Sequence, residues 1–68
     1  MESWSVRDVV QFYASKDAGG LAIAFEQNAV NGSDLLAFRG WPEVATELRL
    51  TAFAARKAIS LRDAFLAL

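Results

Sequence analysis

The sequence predicts an all-α protein, a compact five-helix bundle with a long C-terminal helix. Three observations predict it. Apolar residues recur at steps of three and four along most of the chain, and no stretch alternates with the period of a strand. Helix-start chemistry recurs at Ser5, at Asn31 or Ser33, at Pro42 and at Thr51. The last stretch, Thr51 to Leu68, holds no Gly or Pro and has Ala as its commonest residue, so local propensity alone favours a helix there.

The first helix is read from Trp4 to Tyr13, WSVRDVVQFY. Ser5 followed by Asp8 resembles a capping box with Asp in place of Glu. Val6, Val9, Val10 and Tyr13 then mark an apolar face, with Phe12 beside it. Trp4 is placed to staple onto the first turn or to cover the end of the core. Gly19-Gly20 read as the break after this helix, which ends within about a turn of Ser15. Leu21 to Asn28 is a short second helix, with Leu21 and Phe25 four apart and facing inward. Asn31-Gly32 signals a turn, and Val30 plugs the core from that loop. Ser33 to Phe38 supplies one or two helical turns. Trp41-Pro42-Glu43 starts a fourth helix, with Pro42 in the first turn, where its missing N–H costs nothing. Val44 and Leu48 face inward from it. Arg49-Leu50 turns the corner and Thr51 caps the last helix. There Ala54, Ala58, Leu61, Phe65 and Leu68 form the expected inner stripe, widened by Ile59 and Leu66, with Arg56, Ser60 and Asp63 opposite.

Composition narrows the function classes. The 68 residues are read as one domain, 1–68, with the first three residues as linker. More than half of the chain is apolar, which is too much for disorder. Without Cys there is no disulfide and no thiolate metal site. Without His the commonest general base and metal ligand is missing. Gly19-Gly20 is not a phosphate loop, since no Gly-Lys-Ser/Thr follows. A catalytic role is therefore not expected, and neither a cofactor nor a metal. No apolar run approaches the roughly 20 residues of a membrane span, and the start does not read as a secretory signal. Seven cations against eight acids, net −1, do not suggest a general nucleic-acid binder. The absence of Cys suits an intracellular protein, cytoplasmic or nuclear.

Taken in order, the elements resemble the sterile alpha motif, or SAM, domain from Trp4 to about Phe65. Trp4-Ser5-Val6 and Asp8-Val9-Val10 are similar to that family's opening. Leu21, Phe25, Asn28, Val30 and Gly32 are similar to its second helix and following loop, and Leu35-Leu36 to its paired leucines. Glu47-Leu48-Arg49-Leu50 resembles its Leu-Gly-Ile corner. Phe53-Ala54-Ala55-Arg56-Lys57, then Ile59, resembles the start of its fifth helix. The chain departs from the pattern in three places. Arg49 stands where Gly is usual, Ala54 and Ala55 replace a Gly-His pair, and the Phe38–Leu48 segment is slightly longer.

The resemblance implies a protein-interaction module. It implies association with itself or another SAM domain, often head to tail, an acidic mid-loop surface meeting the start of helix five. The end-helix candidates are Arg49, Phe53, Arg56 and Lys57. The mid-loop candidates are Asp34, Glu43 and Glu47, with Glu26 in addition. Each carries a plainer reading: Phe53 as a core residue, the cations as solvated surface, Asp34 and Glu43 as acids favouring their own helix dipoles. The alternatives are a monomeric domain with another protein partner and, less expected, RNA binding through Arg49, Arg56 and Lys57. No small-molecule substrate and no membrane partner is expected.

Overall fold

A computed structural model describes residues 1–68. The chain is all-α, with α1 Val6–Ser15, α2 Gly19–Gln27, α3 Gly32–Ala37, α4 Trp41–Leu48 and α5 Ala52–Leu66, and no strand. This is the predicted fold class, with the longest helix last. No helix is long and apolar enough to cross a membrane. Two compact units divide the chain, Met1–Ala37 and Phe38–Leu68.

In the first unit α1 opens with a reciprocal capping box. Ser5 Oγ accepts from the Asp8 N–H at 3.2 Å, and Asp8 Oδ2 accepts from the Ser5 N–H at 3.0 Å. Two of the first free N–H groups are thereby satisfied. Val9 and Tyr13 are buried, with Val6, Val10 and Phe12 half-buried. Trp4 packs on Phe12 at 5.2 Å between ring centroids, Phe12 meets Tyr13 edge-on at 5.1 Å, and Tyr13 meets Phe25 of α2 at 4.7 Å. This aromatic run ties the N-terminal segment to α1 and α1 to α2. Each such pair is worth about 0.5–1.5 kcal/mol beyond its area.

The break between α1 and α2 is not made by the glycines. Asp17 takes the left-handed conformation, with φ of 59°. The Ala18 N–H donates to Tyr13 O at 3.0 Å and the Asp17 N–H to Ala14 O at 3.2 Å, which is a Schellman end. Asp tolerates this conformation better than most residues, and the Ala18 that follows is buried. Gly19 and Gly20 are instead the first residues of α2, and no glycine in the chain has positive φ.

The same device ends α2. Ala29 has φ of 51°, its N–H donates to Glu26 O, and the Val30 N–H donates to Phe25 O at 3.0 Å. Val30 is buried, as expected of a plug. Asn31 then caps α3, its Oδ1 accepting from the Asp34 N–H at 2.8 Å while Asp34 Oδ2 accepts from the Asn31 N–H at 3.2 Å. Gly32 donates its N–H to Trp4 O at 2.9 Å. A Cβ at Gly32 would collide with the Met1 carbonyl oxygen and come within 2.8 Å of Trp4 Cβ. The segment read as linker therefore has its first residue packed, with Met1 half-buried against α3.

In the second unit α4 starts after an extended Gly40, with Pro42 in its first turn, and buries Val44. It ends at Arg49, which is left-handed with φ of 55°. The N–H groups of Arg49 and Leu50 both donate to Ala45 O. The corner that commonly takes Gly is thus made with Arg. Thr51 Oγ1 caps α5, accepting from the Ala54 N–H at 3.1 Å.

The inner face of α5 is centred one position further on than the sequence stripe suggests. Ala55, Ala58 and Arg62 are buried, while Ala54, Ile59, Leu61 and Phe65 are half-buried. Leu66 and Leu68, expected inside, are exposed. The reason lies in Arg62. Its stem is buried, its Nη1 donates to the Phe38 carbonyl at 2.7 Å, and its Nε pairs with Asp63 at 3.0 Å. A long side chain with a satisfied head fills a core position as an apolar residue would.

Candidate functional site

The candidate site is built on the first two turns of α5. Thr51 is extended, with φ of −66° and ψ of 156°, and its cap fixes where the helix begins. Phe53 follows two residues later. Arg56 and Lys57 stand three and four positions beyond Phe53, so all three share one face of the helix. Phe53 is 75% exposed, so its ring is a surface feature and not part of the core. Arg56 and Lys57 are exposed as well. The Arg56 guanidinium lies over the Trp41 ring, 5.2 Å from its centroid, so it is held in place by a cation–π contact. No Asp or Glu occurs between Leu48 and Arg62, and the first turn of α5 carries no acid. The free N–H groups and the positive end of the helix dipole add to that field. Arg49 is exposed at the end of α4.

The predicted mid-loop acids are placed less uniformly. Asp34, on α3 in the first unit, holds the Asn31 N–H in the capping box. Glu43, on α4, reaches back to accept from the Arg39 N–H at 3.1 Å. Both therefore do local work at a helix start. Glu47 is exposed on α4, four positions after Glu43, and Glu26 is exposed on α2. Neither carboxylate has a hydrogen bond or an ion pair within the chain.

Two features of the surface escape sequence reasoning. The Trp41–Arg56 stack joins residues fifteen apart across the α4–α5 corner, which no local pattern encodes. Ile23 is 57% exposed on α2. That one had a signal: it lies midway between the inward Leu21 and Phe25, about 200° round the helix from each at 100° per residue. No cluster of three or more acids is placed to hold a metal ion.

No protein-family model matches the chain, and neither a curated protein nor a solved structure matches it.

Proposed function

We propose that the chain is a non-catalytic protein-interaction module of the sterile alpha motif kind, which associates head to tail with itself or with another such domain. The observation that carries this reading is Phe53. A phenyl ring left in water forgoes roughly 1.5–3 kcal/mol of burial, which a partner surface can supply. An aromatic anchor in a pocket is how most contacts of this type gain their affinity. Arg56 and Lys57, one turn on, select an acidic partner and steer its approach. The stack on Trp41 orders Arg56 before binding, so less side-chain entropy is lost on contact.

The acidic half of the contact falls on other segments, with Asp34, Glu43 and Glu47 as the candidates and Glu47 the least engaged locally. Different surfaces meeting in this way make a heterologous contact, which does not close on itself and can build an open filament.

Sedimentation velocity over a wide concentration range tests the reading. Growth in size without a plateau at dimer is expected. Lys57→Glu should hold the chain as monomer, and mixing it with a variant defective in the acidic surface should give a capped dimer. A monomer at every concentration would overturn self-association, and a plateau at dimer would overturn the open head-to-tail geometry.

A further inference from the structure

We infer that the surface receiving Phe53 on the neighbouring copy is the outer face of α2, formed by Ile23 and Glu26. This rests on the head-to-tail reading and names its second half.

An acceptor for Phe53 needs an apolar contact and, within a turn of it, a carboxylate free to meet Arg56 or Lys57. Four large hydrophobic side chains are exposed: Ile23, Phe53, Leu66 and Leu68. Leu66 has Asp63 one turn before it, but that carboxylate is paired with Arg62 at 3.0 Å. Leu68 has no acid within a turn. Asp34 and Glu43 hold backbone N–H groups. Glu47 is free, but no exposed large apolar residue lies within a turn of it. Its neighbours at that step are Glu43, the buried Val44, the half-buried Leu50 and the polar Thr51.

Ile23 is different. Glu26, three positions on, is exposed and without an intrachain partner. Gly19 and Gly20, four and three positions before Ile23, have open space where a Cβ would stand. An aromatic ring can therefore lie beside Ile23 without meeting a side chain on that flank.

The spacing sets the direction of docking. On α5 the aromatic ring precedes its charges by three and four residues, and on α2 the isoleucine precedes its carboxylate by three. At about 1.5 Å of rise per residue the charges lie about 4.5–6 Å beyond Phe53 on α5, and the carboxylate about 4.5 Å beyond Ile23 on α2. Two helices running parallel side by side bring Phe53 to Ile23 and Lys57 to Glu26 together. An antiparallel pair satisfies one contact and loses the other. The wider charge agrees. The first unit holds five acids and two cations, net −3, and the second holds five cations and three acids, net +2.

The test is a charge swap at exposed positions, followed by sedimentation velocity, with circular dichroism to verify folding. Glu26→Lys and Lys57→Glu should each weaken self-association about tenfold or more. Ile23→Lys should do the same. The double variant Glu26→Lys/Lys57→Glu should regain assembly, because the pair is restored with its signs exchanged. An equimolar mixture of Glu26→Lys with Lys57→Glu should also assemble, with the two variants alternating, because every contact then pairs opposite signs. If Glu26→Lys and Ile23→Lys assemble like the parent chain while Lys57→Glu does not, the α2 acceptor is overturned and the head-to-tail reading stands. If the parent chain is monomeric throughout, both are overturned.

Discussion

The chain has four glycines, and one of them stands where a single methyl group would be costly. Gly32 is in helical conformation, so Ala there should gain about 1 kcal/mol of propensity. The added Cβ meets the Met1 carbonyl, which is backbone and cannot rotate away. Overpacking of that kind costs typically about 1–3 kcal/mol, so Gly32→Ala is expected to be less stable by urea denaturation, or to release the Met1 segment. Gly20 provides the contrast. It is helical with open space around it, and Gly20→Ala should stabilise by about 0.5–1 kcal/mol. A Gly32→Ala chain more stable than the parent by the full ~1 kcal/mol of propensity would contradict the close approach of Met1. Arg62 is the other decisive residue. Only 8% exposed, it is the one buried charged side chain. Replacing it with Met keeps the packed stem but leaves the Phe38 carbonyl without this donor. A loss of about 1–3 kcal/mol is expected in the same measurement.

Among the elements, helix starts and helix ends are encoded differently. α2 and α4 begin after Ala18 and Gly40 without a side-chain cap. The other three starts rely on side-chain chemistry within a few residues, at Ser5 with Asp8, Asn31 with Asp34, and Thr51. These were legible in the sequence. Ends rely on backbone conformation at Asp17, Ala29 and Arg49, all left-handed and none glycine. Each is followed by an apolar residue that is buried or half-buried: Ala18, Val30 and Leu50. Packing of that next residue favours the left-handed turn before it, and at Ala29 and Arg49 the residue's own side chain does not signal the end. Ala29 makes this testable. An alanine with positive φ is worse than glycine by about 1 kcal/mol, so Ala29→Gly should raise the denaturation midpoint without changing the slope. Unchanged or lower stability would argue against the left-handed end. The same division applies to the candidate site. That Phe53, Arg56 and Lys57 share a face follows from their spacing. Whether that face looks inward depended on which stripe of α5 is buried, and Arg62 shifted that stripe. Trp41 as a platform for Arg56 needed the α4–α5 corner, and so could not be seen locally.

For the whole molecule, a net charge of −1 conceals a division of sign between the two units. Near-zero net charge gives little general repulsion between copies, so proposed contacts between unlike surfaces meet little opposition. Two variants separate the electrostatic from the apolar part. Screening is nearly complete beyond about 10 Å at 0.1 M salt and about 3 Å at 1 M. Self-association should therefore weaken as sodium chloride rises, yet persist, because burial of Phe53 is not screened. Sodium sulfate at matched ionic strength should preserve more of it, since that salt strengthens apolar burial. Lys57→Glu should lose the chloride dependence together with most of the affinity. Phe53→Glu should be monomeric in both salts. Because the ring is exposed, that variant should also keep its far-UV spectrum and remain within about 0.5 kcal/mol of the parent in stability. Unfolding of Phe53→Glu would place the ring in the core and remove the anchor. A folded Phe53→Glu that still assembles would leave charge alone to hold the contact, and assembly should then vanish at high chloride.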